Sequence, residues 1–251
     1  MGKPLIPRNR FLFAVLFLLS FTVAFALSPL VSAQQYVQPM YSIAWPSHTI
    51  LVSVPDDPAG AQISFQLAMD YWNQAQQWFL ASYEPNHPTA EYTLELAQSG
   101  QHAQVTVQYV SHISEGWVAA TYSSGRQISI AISLFSGVDY SVNYALVSVA
   151  EHELGHVLGL GDNCVREDLM FSSCGSGMMS AHYPSTLDLY AVYLQAVSNG
   201  SYGTEDTVSL PAQIPYVAWL PNEMPVSEFS NSFIILVAAL SVTVGICKRK
   251  L

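Results

Sequence analysis

Glu151-His152-Glu153-Leu154-Gly155-His156-Val157-Leu158-Gly159-Leu160-Gly161-Asp162 is the stretch of this 251-residue chain that decides its fold. Leu146, Ala150, Leu154, Val157 and Leu158 recur at helical spacing, which predicts a helix from about Val142 to Leu160 with that stripe in the core. His152 and His156 fall one turn apart on a face pointing away from the stripe, so their imidazoles can grip one ion. Glu153 adjoins the first of them. Its carboxylate can reach a water at the ion without ligating the metal, which is where a hydrolase needs a general base. Gly159 stands where the helix must end and tolerates the left-handed turn that reverses the chain. Asp162 then offers a carboxylate oxygen as third ligand, with Asn163 and Asp168 as alternatives. Three protein ligands and one open position are the usual catalytic zinc arrangement.

Upstream, Thr49 to Val54 alternates with Ile50, Val52 and Val54 on one side and reads as a strand. A helix is predicted from about Ala61 to Tyr83, with Phe65, Ala68, Met69, Trp72 and Phe79 on its core face. Tyr92 to Leu96, Ala103 to Val110, Trp117 to Tyr122 and Gln127 to Ile132 read as strands. Downstream of the metal motif comes a loop-rich stretch, then a third helix beginning near Ser185. This order predicts a mixed α/β domain of the α+β kind, with helices packed around one twisted sheet, over residues 34–197. Pro211, Pro215, Pro221 and Pro225 break any helical period beyond Ser198, so residues 198–230 read as a stalk with room for a strand or two.

The two ends read as targeting segments. Lys3, Arg8 and Arg10 precede an unbroken apolar run from Phe11 to Leu27, and Val31-Ser32-Ala33 suits cleavage, so residues 1–33 are expected to be a signal peptide; an uncleaved anchor is the alternative. Residues 231–247 are largely apolar and uncharged, and Lys248, Arg249 and Lys250 follow at once. That pattern predicts a short membrane helix with a cytoplasmic tail at 248–251 and the body outside. Between the ends stand two basic residues, Arg126 and Arg166, against 18 acidic ones, a formal −16. Such a body should repel nucleic acid. Cys164 and Cys174 lie close in sequence within it, and an oxidising exterior favours a disulfide between them.

His-Glu-x-x-His-x-x-Gly-x-x-Asp resembles the metzincin clan of zinc peptidases, and aspartate at the last position resembles its snapalysin-type branch. Asp168-Leu169-Met170 resembles the methionine turn of the matrixin branch, which makes Met170 the expected turn residue, with Met178 and Met179 as the alternative. Gly116-Trp117-Val118-Ala119-Ala120 resembles the edge strand on which matrixins lay their substrate, and the helix from Ser185 resembles the last helix of such domains. The tail resembles those of archaeal surface proteins. Departures are the absence of an expected cysteine-switch segment and of a tyrosine two residues after Met170. The resemblance implies a zincin domain holding one Zn²⁺ through His152, His156 and Asp162, with Glu153 as general base. It implies an endopeptidase at the cell surface, acting on extended protein or peptide substrate beside Val118 and Ala119, with Tyr183 near the pocket for the side chain after the cleaved bond. The competing expectation is a catalytically inactive metal-binding or adhesive surface protein; a fourth ligand from Cys164 or His182 would favour a purely structural ion.

Overall fold

The computed structural model of the chain describes residues 36–58, 60–113, 118–122, 125–131, 142–172, 183–200 and 206–221. In chain order these form β1 (Val37–Pro39), β2 (Thr49–Ser53), α1 (Ala61–Tyr83), β3 (Thr93–Leu96), β4 (Val105–Val110), β5 (Ala119–Tyr122), β6 (Gln127–Ala131), α2 (Tyr144–Val157), α3 (Thr186–Ser198) and β7 (Thr207–Ser209). Alternation builds the main sheet: Ile50 and Val52 of β2 are fully buried, while Thr49, Leu51 and Ser53 are partly exposed. β3 and β4 lie parallel to β2 on its two sides, β6 lies parallel to β4, and β5 runs antiparallel to β6. The strand order is β3-β2-β4-β6-β5, so β5 closes the sheet at one edge. Parallel neighbours need a long crossover, and α1 supplies the one between β2 and β3. The result is a mixed α/β domain with three helices and a mixed sheet among the described residues.

The faces follow the periodicity. Phe65, Ala68, Met69 and Trp72 of α1 have no exposure and Phe79 has 1%. They pack on α2, whose Leu146, Ala150, Leu154 and Val157 are likewise fully buried. The Trp72 indole N–H donates to the Glu151 carbonyl at 2.8 Å and so pins α1 to the turn that carries His152. Helix α2 starts two residues later than Val142, because the Asn143 side chain caps it by accepting from the N–H groups of Ala145 and Leu146. Helix α3 begins after Ser185, whose hydroxyl and the Asp188 carboxylate form a capping box.

Part of the expected stalk belongs to the body instead. β7 pairs antiparallel with β1, and Val208, Ile214 and Trp219 are each only 5% exposed. Thr186 N–H donates to the Val217 carbonyl, and Trp219 N–H donates to that of Pro184. Proline removes the helical period but leaves an irregular chain free to bury apolar side chains, so residues 206–221 wrap the start of α3. Among the described residues no helix is long and apolar enough to cross a membrane. The expected signal peptide at 1–33, membrane helix at 231–247 and tail at 248–251 lie outside the described residues.

Candidate metal centre

Helix α2 places His152 and His156 with ring centroids 4.8 Å apart and planes at 89°. Each ring is held by its Nδ1. His152 Nδ1 lies 2.9 Å from the Leu169 carbonyl oxygen, and His156 Nδ1 lies 2.8 Å from that of Leu160. A carbonyl can only accept, so both Nδ1 atoms carry the proton and both Nε2 lone pairs point at a common point. The Asp162 carboxylate meets them there: its Oδ1 is 3.3 Å from His152 Nε2 and 3.6 Å from His156 Nε2. These three ligand atoms lie within 4.8 Å of one another, and the group could hold a metal ion.

The helix end brings Asp162 round to the two histidines. Leu160 N–H bonds back to the Gly155 carbonyl and Gly159 N–H to that of His156, with Gly159 at φ +94°. That is the double bond of a Schellman end, for which a left-handed glycine is suited. The Trp45 indole N–H takes up the Val157 carbonyl at 3.0 Å. Gly161 then crosses β1, donating its N–H to the Pro39 carbonyl, and Asp162 follows directly. The rest of the loop is organised around two buried polar side chains. Asn163 Nδ2 donates to Gln38 Oε1 and Asp168 Oδ1, and Asp168 Oδ1 also accepts from Met170 N–H. Asp168 Oδ2 accepts from the Ser185 hydroxyl at 2.7 Å and from the Tyr216 hydroxyl at 3.2 Å. Asn163 and Asp168 are therefore spent on holding the loop, and Asp168 stands outside the group of His152, His156 and Asp162.

Met170 has no exposure and lies under α2; a Cβ on Gly155 would come 2.3 Å from its sulfur. Gly155, between the two histidines, thus leaves the room that the methionine side chain fills against α2. Met178 and Met179 lie outside the described residues. Glu153 is 3% exposed, and its Oε2 accepts from the Thr121 hydroxyl of β5 at 2.5 Å. Val118 is exposed, Ala119 pairs with Ile130 of β6 and is buried, and β5 pairs with no strand on its outer side among the described residues. Tyr183 is half-buried and packs edge-on against Tyr71 and Trp219, beside Glu151. Cys164 is disulfide-bonded and cannot offer a thiolate; Cys174 and His182 lie outside the described residues.

No family model matches this chain. No curated protein matches it either. Its own electrostatics therefore carry the weight. Burial disfavours the charged form of His152, but the hydrogen bond it donates to the Asp162 carboxylate when protonated, the Glu153 charge and the Leu169 carbonyl outweigh that and raise its pKa above the usual 6.5. Burial would raise the Asp162 pKa, but bonds and charge from His152 and His156, with the Ser172 hydroxyl, lower it below 3.8. Both shifts have one meaning: His152 and Asp162 favour the ion pair of a protonated imidazole with an ionised carboxylate. Sequence reasoning missed Thr121, Ser172 and the roles of Gln38, Ser185 and Tyr216. Period and motif reveal what sits on one helix, whereas these contacts cross between elements.

Proposed function

We propose that this chain is a zinc-dependent endopeptidase acting outside the cytoplasm. The observation that carries this is the convergence of two Nδ1-anchored imidazoles and one carboxylate on a common point, with the Glu153 carboxylate on the adjoining residue. Two imidazole nitrogens and a carboxylate oxygen suit zinc, and three protein ligands leave a coordination position for chemistry. A purely structural ion would call for a fourth protein ligand; among the described residues the group stops at three.

His152, His156 and Asp162 would hold the ion, which when bound polarises the scissile carbonyl and lowers the pKa of a water. Glu153 has one oxygen engaged by Thr121, leaving Oε1 to accept that water's proton and pass it to the leaving amine nitrogen. An extended substrate would add to the open edge of β5 near Val118 and Ala119, using main-chain hydrogen bonds. The side chain after the cleaved bond would lie toward Tyr183. The test is metal content together with cleavage of a random peptide library by the full chain. Wild type that binds no zinc, or binds it and cleaves nothing, would overturn the proposal.

We further propose that the body is tethered at the cell surface through residues 231–247, with no role for nucleic acid, on the strength of the basic stop at Lys248, Arg249 and Lys250 and the acidic body. Protease added to intact cells should then remove the body and spare the tail. A body protected until lysis would refute this placement.

A further inference from the structure

We propose that Thr121 is a positioning residue for Glu153, fixing the carboxylate so that the sheet edge and the general base move as one unit. The inference rests on the peptidase function proposed above and deepens it. A glutamate beside two metal-ligating histidines has a rival position available: its carboxylate is drawn to the same cation and can swing in as a ligand. As a ligand it would block the open position and lose its freedom to carry a proton. Something must hold it back, and the described contacts of the Glu153 side chain include one donor suited to that.

The Thr121 hydroxyl lies 2.5 Å from Glu153 Oε2 and 3.3 Å from the Glu153 carbonyl oxygen. One hydroxyl proton serves one acceptor at a time, and the shorter contact has the length of a charge-assisted O–H···O⁻ bond. The donor is itself stiff. Thr121 is β-branched, which restricts χ1, and β5 is fixed by its pairing with β6, where Thr121 faces Ile128. Glu153 in turn is enclosed at 3% exposure, so no bulk solvent competes for Oε2. The bond therefore turns one carboxylate oxygen toward the sheet and leaves the other for the reacting water. It also ties the base to the strand whose outer edge would carry the substrate, so that substrate docked on β5 is held in register with the group that acts on it.

The experiment compares full-length wild type, Thr121→Val and Thr121→Ser. Valine keeps the shape and strand preference of threonine but has no hydroxyl; serine keeps the hydroxyl. With zinc bound, Thr121→Val is expected to keep metal content and KM while kcat falls roughly 10- to 100-fold, the scale of a misplaced catalytic group. Thr121→Ser should return kcat to within about threefold of wild type. A purely structural role would lower thermal stability and would not split kcat from KM. If the valine variant does not fold, Thr121→Ala takes its place. The second readout needs no activity: in crystal structures of the zinc-free proteins, the Glu153 carboxylate should leave its place beside β5 in Thr121→Val and keep it in Thr121→Ser. An unchanged carboxylate, or wild-type kcat in both hydroxyl-free variants, would overturn the inference. Wild type that cleaves no peptide would instead sink the peptidase function, and the crystal comparison would still decide the Thr121 link.

Discussion

At the scale of single residues, the site divides labour between atoms of the same side chain. Each histidine spends Nδ1 on a backbone carbonyl and leaves Nε2 for the proposed ion, and Glu153 spends Oε2 on Thr121, which would leave Oε1 for the water of the proposed reaction. Glu153→Gln should therefore retain zinc and the fold yet lose about 10²- to 10⁴-fold in kcat, since the amide accepts no proton. Metal content and cleavage rate on one preparation check this; full activity in the glutamine variant would show that another group is the base. Asp162→Ala should weaken zinc binding by more than the ~10- to 100-fold that loss of an outer partner costs, because a ligand itself is gone. In the metal-free protein the raised His152 pKa contributes stability that is full below 6.5 and lost as pH rises through the raised value. The lowered Asp162 pKa contributes stability present above 3.8 and lost as pH falls through the depressed value. The ion pair thus supports the metal-free fold best between those two ordinary values. Zinc must displace the His152 proton, so its affinity should fall about tenfold per pH unit below the raised pKa. Chelator competition between pH 5 and 8 on the wild-type protein, with no peptide substrate present, would measure it, and a flat profile would contradict the assignment.

At the scale of elements, the end of α2 matters more than its middle. The helix was legible because its apolar stripe repeats cleanly, and Gly159 gave away its end because few residues adopt a left-handed turn. The next ten residues were not legible. Their order comes from Asn163 and Asp168 bonding to Gln38, Ser185 and Tyr216, partners up to 125 residues away in sequence, and no local pattern encodes such pairs. Asp162 is legible as a ligand candidate from its offset from Gly159; what separates it from Asn163 and Asp168 is those long-range bonds, which no offset encodes. Gly159→Ala should be costly for two reasons. Its φ of +94° strains a side chain, at roughly 1–3 kcal/mol, and a Cβ would come 2.6 Å from Gln195 Nε2. Relief of that strain moves Leu160, whose carbonyl orients His156, so zinc affinity should drop along with stability. Asn143→Ala is the control: loss of the cap at the other end should cost about 1 kcal/mol and leave zinc affinity alone. Urea unfolding and zinc titration of the two variants separate the effects, and equal zinc affinities would detach the helix end from the site.

At the scale of the whole molecule, the metal loop, α3 and residues 206–221 are joined through one buried polar knot. Asp168 and Asp188 are both fully buried, the Ser185 hydroxyl lies within reach of both carboxylates, and the Tyr216 hydroxyl reaches Asp168. The composition of residues 198–230 hid this, because proline marks the loss of a helix and says nothing of whether the chain is anchored. Two carboxylates so placed, away from solvent, favour sharing a proton over both being ionised. Burial, and then the charge of Asp168, push the Asp188 pKa well above 3.8. An acid with a raised folded pKa contributes stability that is full below its unfolded value and is lost as pH rises through the folded one. This knot should therefore make the fold weaken from mildly acidic toward alkaline pH, by up to about 1.4 kcal/mol per pH unit while one proton is at stake. Asp188→Asn supplies a fixed amide in place of the shared proton and keeps an oxygen to accept from Ser185 N–H. It should match wild type near pH 4 and exceed it at pH 8, so that the difference between the two curves grows with pH. Urea unfolding from pH 4 to 9 on chelator-treated protein would follow it, with the His152 and Asp162 contributions cancelling in the difference. Parallel curves would mean that Asp188 releases its proton into the folded state as readily as into the unfolded one, and that the knot is held by hydrogen bonds without a retained proton.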